Sequence, residues 1–155
     1  MSAFTLRPAL PEDRDLLYQL KKSVNYAYVS ALWGWDEDFQ QAEFDRDFQK
    51  REEFSVIVWE GGDAGFLQLQ RGADFLNVAE IHLLPPFRGR GLGSAVLRSV
   101  QAQGDKEGLP VLIGCFRANQ RAGQLYRRLG FQPAGETDTH HLFLYHPMKL
   151  PQEER

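Results

Sequence analysis

The stretch Leu84-Pro-Pro-Phe-Arg-Gly-Arg-Gly-Leu-Gly-Ser94 constrains this chain more than any other. It divides two periodicities. Before it, Leu76–Leu84 is apolar and reads as a strand. After it, Leu92, Ala95, Val96, Ser99 and Val100 recur on one helical face. Gly89, Gly91 and Gly93 leave the junction bare of side chains. The first N–H groups of a helix have no intrahelical acceptor, and the helix dipole stands behind them. Such a junction suits phosphate or pyrophosphate. Arg88 and Arg90 add guanidinium donors that match phosphate oxygens.

Plainer or different readings fit less well. A tight turn needs glycine for its backbone angles alone, which leaves the two arginines without a reason. A P-loop needs Lys and then Ser or Thr after its last glycine, but Gly93 is followed by Ser94-Ala95. A dinucleotide fingerprint would need glycine at position 94 and a place near the first strand of the domain.

The flanking sequence supplies the rest of the architecture. Phe4–Arg7 reads as a strand, and Pro11-Glu-Asp-Arg opens a helix with an apolar face of Leu16, Leu17, Leu20 and Val24. Ala31–Asp36 reads as a break. A second helix is expected over Asp38–Gln49, with Phe39, Ala42 and Phe48 near helical spacing. Phe54–Trp59 and Gly65–Gln70 flank a Gly61-Gly62-Asp63 turn and predict a hairpin. Leu76–Leu84 joins that set. Val111–Cys115, a helix over Asn119–Leu129, and strands over Phe131–Thr137 and His140–Tyr145 complete the chain. The order β-α-α-β-β-β-α-β-α-β-β implies α/β layering, with a mixed central sheet of about seven strands flanked by four helices. The strands Leu76–Leu84 and Val111–Cys115 are expected to be parallel and to splay at one end.

Size and composition exclude other classes. The 155 residues suit one domain, expected over residues 1–150, with Pro151–Arg155 as a solvated tail. Hydrophobic residues at 43% and charged residues at 25% exclude disordered and collagen-like chains. A net charge of −3 argues against nucleic acid as a partner, because such binders carry a basic face. Arginines cluster only locally, over Arg88–Arg90 and Arg117–Arg128, which points to a local anion. No run of about 18 apolar residues is present to span a membrane, and the first residues lack a signal-peptide pattern. Cytoplasm is therefore the expected location. The single cysteine, Cys115, reads as a small core residue, and no metal site is expected.

Arg88-x-x-Gly91-x-Gly93 resembles the R/Q-x-x-G-x-G/A signature of the GNAT N-acetyltransferase superfamily. Asn119-Gln-Arg-Ala122 and Leu125-Tyr-Arg-Arg-Leu-Gly-Phe131 resemble the second helical block of that family, in the right order about 25 residues on. The resemblance implies a GNAT-like fold and transfer of an acetyl group from acetyl-CoA to a primary amine of a small molecule or peptide. Another acyl donor, or a non-catalytic acyl-CoA-binding sensor module, is the alternative. A homodimer remains open. The resemblance also implies that main-chain groups of Ile81, His82 and Leu83 hold the pantetheine arm. Those of Gly89, Arg90, Gly91, Leu92, Gly93 and Ser94 would hold the pyrophosphate with Arg88 as an added side-chain donor, and Asn119 would contact the cofactor arm, although asparagine is equally a favoured helix N-cap.

Acyl transfer to an amine needs a base for the ammonium proton and an acid for the departing thiolate. Tyr126 matches the tyrosine that serves as acid in many members. It also sits where a packing contact with Phe131 would form across Gly130. Glu80 is the candidate base, because a mid-strand carboxylate sharing a face with Leu76, Val78 and His82 is costly without a partner or a task. A hydrogen-bonded structural glutamate is the competing reading. His82, His140 and His141 are weaker candidates. Trp33, Trp35 and Asp36, in a segment of aromatic rings and acids, are candidates for an acceptor site suited to a cationic amine. A buried tryptophan beside an acidic helix start would look the same.

Overall fold

A Gly-Gly turn between two apolar runs sets the first part of the molecule. The computed structural model describes residues 3–148, so the Pro151–Arg155 tail lies outside the described residues. Strands β1 (Thr5–Pro8), β2 (Phe54–Trp59), β3 (Gly62–Arg71), β4 (Leu76–Leu83), β5 (Val111–Phe116), β6 (Gln132–Glu136) and β7 (His140–Tyr145) alternate with α1 (Arg14–Trp33), α2 (Glu37–Phe48), α3 (Leu92–Glu107) and α4 (Gln120–Arg128). The strands form one mixed sheet ordered β1-β2-β3-β4-β5-β7-β6. This is the α/β class, strand count and helix count that the sequence predicts. The chain divides into two compact units, one of residues up to Leu69 with Glu80–Gly93, the other of Gln70–Ala79 with residues from Ser94 on.

In the first unit β1 and β2 are antiparallel, as are β2 and β3. Leu17 and Leu20 of α1, Phe44 and Phe48 of α2, and Phe54, Val56 and Phe66 of the sheet form one core. The rings interlock, with Phe48 5.1 Å from Phe54 and Phe54 6.1 Å from Phe66. Such ring pairs add to the stabilisation given by burial alone. Two expected faces turn slightly. Leu16 is exposed and Tyr18 is buried in its place; Phe39 is exposed and Phe44 is buried. The expected break at Ala31 is also later than read. Helix α1 runs through Trp33 and stops at Gly34, whose φ of 80° is accessible to glycine without strain.

Gly65 allows β3 to approach the end of β4. A Cβ there would lie 2.1 Å from the His82 carbonyl oxygen and 2.9 Å from Leu83 Cα. The Leu84 N–H donates to the Ala64 carbonyl at 2.8 Å just beyond. The end of β4, which leads into the glycine turn, is thus fixed by backbone contacts.

The second unit holds the parallel pair. Leu76, Asn77 and Val78 of β4 align with Val111, Leu112 and Ile113 of β5. The aligned register ends at Val78 and Ile113, while β5 continues antiparallel to β7 as far as Phe116 opposite His140. Leu76, Val78, Val96, Leu97, Val100, Val111, Ile113, Leu129, Phe131 and Phe143 are buried in this unit. Asp105 ties down the chain after β7 by accepting from the Tyr145 hydroxyl at 2.9 Å and the Met148 N–H at 2.6 Å. Among the described residues no helix is long and apolar enough to cross a membrane.

The α1–α2 junction is organised around one carboxylate. Glu37 Oε1 accepts from Lys22 Nζ at 2.6 Å and Trp35 Nε1 at 3.0 Å. Its Oε2 accepts from the Tyr18 hydroxyl at 2.5 Å and Gln41 Nε2 at 2.8 Å. Lys22 first, then Tyr18 and Trp35, draw the Glu37 carboxyl down from its ordinary 4.5 to about 2. The folded value lies below the unfolded one. The contribution of Glu37 to stability is therefore fully present above about pH 5 and is lost as the pH falls toward about 2. Urea-unfolding midpoints of the parent and Glu37→Gln should differ by a constant amount from neutral pH down to about pH 5, and draw together progressively from there toward about pH 2. A gap that stays constant through acid would remove Glu37 as the organising charge.

Candidate active site

The glycine turn is built as its sequence suggests. Gly89 and Gly91 adopt φ of 71° and 85°, and a Cβ on Gly89 would meet nothing within 4 Å. Helix α3 begins directly after, at Leu92. Its first N–H groups have no intrahelical acceptor. Arg88 and Gly89 form a turn, and the backbone bends again at Arg90 and Gly91. The turn therefore gathers backbone donors and the positive end of a helix dipole in a concave segment free of side chains, an arrangement that fits a pyrophosphate.

The two arginines hold the turn itself. Arg88 Nε donates to the Leu83 carbonyl at 2.8 Å. Arg90 Nη2 donates to both carboxylate oxygens of Glu60 at 2.9 Å, and its guanidinium lies 4.5 Å from the Trp59 ring centre. Glu60 has a positive φ of 52° at the tip of the β2–β3 hairpin, an uncommon geometry for a non-glycine residue. The sequence gives no sign of this Arg90–Glu60 pair, because thirty positions separate its members.

Glu80 sits where strand alternation places it, beside His82. Its side chain is 15% exposed. Oε1 lies 3.4 Å from His82 Nε2 and 3.5 Å from Lys21 Nζ of α1. The His82 ring is in turn 5.4 Å from the Phe66 ring. Burial pushes the Glu80 carboxyl up, but His82 and the Lys21 charge outweigh it and hold the group below the ordinary range. Glu80 is thus an ionised, partnered carboxylate at neutral pH. Lys21 is absent from the sequence reading, although a signal exists: it falls four residues after Leu17 and three before Val24, within the apolar stripe of α1.

Tyr126, in the second unit, is 8% exposed. Its ring makes edge contacts with Phe131 at 5.9 Å and Phe143 at 5.6 Å. The helix closes as a Schellman motif. The Phe131 N–H donates to the Tyr126 carbonyl at 3.0 Å, the Gly130 N–H donates to that of Arg127 at 3.0 Å, and Gly130 has φ of 95°. Asn119 caps α4 by accepting from the Ala122 N–H at 3.2 Å. It lines a cavity of about 220 Å³ with Cys115, Gly123, Arg127, His141 and Phe143. Burial pushes the Cys115 thiol up, which suits a core residue better than a nucleophile. His140 and His141 lie on β7, with His141 Nδ1 3.2 Å from Glu136. Among the described residues no group of His, Cys, Asp and Glu is arranged to hold a metal ion.

The candidate acceptor residues are divided by the fold. Trp33 is 64% exposed. The Trp35 ring lies tilted against that of Tyr26 at 5.1 Å, with Lys22 Nζ over it at 5.6 Å. Asp36 caps α2, accepting from the Phe39 N–H at 3.0 Å. Asp36 and Glu37 therefore have structural partners within the junction.

Comparison with known proteins addresses the family and the fold. A curated relative from Mycobacterium tuberculosis, a GCN5-like protein acetyltransferase, is 42% identical over 60 residues, 37% of this chain and 28% of the relative. An uncharacterized N-acetyltransferase of Mycobacterium bovis is 34% identical over 89 residues, 56% of each chain. The aligned segments thus span between about a quarter and just over half of these relatives. The crystal structure of the PaiA N-acetyltransferase of Thermoplasma acidophilum in complex with coenzyme A superposes with a TM-score of 0.70. It is 15% identical, and the match covers 94% of this chain and 99% of that one. The model of the acetyltransferase (GNAT) family matches residues 17–131. The chain belongs to the GNAT acetyltransferase family.

Proposed function

We propose that this protein is an N-acetyltransferase that moves an acetyl group directly from acetyl-CoA to a primary amine of a small molecule or peptide. The observation that carries this reading is the glycine turn of Arg88–Gly93, with its unshared N–H groups at the start of α3. The coenzyme A in the T. acidophilum relative supports a CoA thioester as the donor. Main-chain groups of Gly89–Ser94 hold the pyrophosphate, and those of Ile81–Leu83 hold the pantetheine arm. Asn119 contacts the arm as well.

The thioester supplies an activated acyl carbon and a thiolate leaving group. The protein supplies proton traffic. An amine with a pKa of about 10.4 arrives as ammonium, and only its free base attacks. Glu80 steers the ammonium and accepts its proton, directly or through a water. Its depressed pKa keeps it ionised, so its role rests on position more than on basicity. Tyr126 donates the proton that the departing thiolate takes up. Trp33, Trp35 and Asp36, with Glu37 next in sequence, recognise the acceptor. Because these acids already have partners, the aromatic rings contribute more to recognition than the carboxylates do.

Two variants test the reading. Acetyl-CoA should raise the melting temperature of the parent through preferential binding to the native state. Gly91→Glu should lose that shift, because it sets a carboxylate against the pyrophosphate. Gly91→Ala, which shares the strain at φ of 85° without the charge, should keep part of it. Equal shifts in all three proteins would remove the turn as the anion site. Tyr126→Phe keeps the ring that packs on Phe131 and Phe143. It should bind acetyl-CoA nearly as the parent does, yet turn over about 10²- to 10⁴-fold more slowly with an acceptor drawn from a panel of amines and peptides. A rate within about threefold of the parent would exclude Tyr126 as the acid.

A further inference from the structure

Lys21 is set apart from Lys22, the other lysine of α1, by where its ammonium ends. Its side chain is 27% exposed, and Nζ lies 3.5 Å from Glu80 Oε1 and 5.9 Å from the Phe44 ring centre. Its neighbour Lys22 points into the Glu37 junction instead. A lysine in the apolar stripe of a helix would ordinarily turn its head to water. Here it is held back by a carboxylate that reaches toward it from β4.

The contacts on Glu80 are unequal. His82 Nε2 and Lys21 Nζ both address Oε1. Oε2 accepts from no described residue. Among the described residues, Ser30 Oγ is the one fully buried side-chain polar atom without a partner, so Glu80 Oε2 retains access to solvent. One oxygen thus faces two groups from two elements at 3.4 and 3.5 Å, and the other has no partner among the described residues. Other charges bear on the pair from α2. Asp47 is close enough to feel both Lys21 and Glu80, and Glu43 and Arg46 bear on Asp47 in turn. Asp47 adds negative charge that works against ionised Glu80, so Lys21 and His82 are the groups that keep the carboxylate charged.

We propose that Lys21 is a positioning residue: it clamps Glu80 Oε1 opposite His82, so that Oε2 is the atom offered to the acceptor's ammonium proton. The proposal rests on the assignment of Glu80 as proton acceptor. It explains how a carboxylate in mid-strand stays ionised and oriented among apolar neighbours. A bare carboxylate there would rise in pKa and rotate toward its nearest donor. The proton balance is simple. Oε2 takes one proton from the ammonium, and the free amine nitrogen then bonds to the acyl carbon; as the carbon–sulfur bond breaks the thiolate takes the proton that Tyr126 gives, and the second proton lost by the nitrogen passes through solvent and restores Tyr126. Lys21 keeps all three of its protons throughout.

The test is a carboxyl-carbon NMR titration of Glu80, assigned by its absence in Glu80→Gln, in the parent, Lys21→Met and Lys21→Arg. Methionine keeps an aliphatic stem of similar length, and arginine keeps the charge. Loss of an opposite charge at this distance shifts a carboxyl by about one pKa unit or more. The Glu80 midpoint should therefore rise by about one unit in Lys21→Met and stay near the parent in Lys21→Arg. The ratio of Lys21→Met to parent kcat should fall as the pH drops from about 8 to about 5, a comparison in which the acceptor's own ionisation cancels. A Glu80 midpoint that moves by less than about 0.3 unit in Lys21→Met, or a kcat ratio flat across pH, would overturn the assignment of Lys21. A slope that persists in the Lys21→Met, Glu80→Gln double variant would place it on His82 and overturn the assignment too. Full activity in Glu80→Gln alone is a different failure. It would remove Glu80 from proton transfer and the role of Lys21 with it.

Discussion

Backbone N–H groups at the start of a helix cannot be paired within that helix, and this chain leaves them at its most constrained point. The turn of Arg88–Gly91 leads into them through two positive-φ glycines. Such donors are costly if they are buried and useful if they meet an anion. The neighbouring structure holds the segment in this arrangement. Gly65 lets β3 come against the end of β4 where any side chain would collide with the His82 carbonyl. Arg88 closes onto Leu83, and Arg90 is clipped to Glu60 and stacked on Trp59. The arginines that look from sequence like phosphate ligands serve first to shape the turn, which leaves the main chain as the primary donor set.

Charge is used in two distinct ways in the first unit. At the α1–α2 junction Glu37 is saturated by four donors, which fixes Tyr18, Lys22, Trp35 and Gln41 and leaves little of its charge for a ligand. On β4, Glu80 has donors on one oxygen only. A saturated carboxylate is a structural device. A half-saturated one is under tension between burial and solvation, and that is the condition in which a group exchanges protons. The difference between the two glutamates lies in the number and direction of their donors, since each is ionised at neutral pH.

Local pattern carried most of the fold. Alternation in Leu76–Leu83, the Gly61-Gly62 turn and the stripes of α3 and α4 each report on near neighbours, and the strands at Phe54–Trp59 and His140–Tyr145 fall where their apolar runs do. The Tyr126–Phe131 contact was legible because the Schellman motif is local, with Gly130 as its marker. Boundaries failed where a strong helix former met a conformational exception. The segment Ala31–Asp36 reads as a break, yet the helix ends only when Gly34 takes a positive φ. The phase of a helix face was also imprecise. In α1 and α2, Leu16 and Phe39 are as apolar as the residues that are buried, so only the direction of the sheet decides between them. Tertiary pairs of distant residues escaped altogether. Lys21–Glu80 and Glu60–Arg90 join elements that sequence spacing cannot relate.

The central claim is that main-chain donors of the glycine turn bind the pyrophosphate of the acyl donor. Calorimetric titration of the intact protein with acetyl-CoA and with S-acetylpantetheine, which carries the same thioester and arm without the pyrophosphate and nucleotide, addresses it directly. Charge-assisted hydrogen bonds contribute about 1.5–3 kcal/mol each. Loss of two such bonds should therefore weaken binding by at least about 100-fold, with each 1.4 kcal/mol worth tenfold. Comparable affinity for the two compounds would contradict the account, because it would place the binding energy on the arm and leave the turn without a ligand.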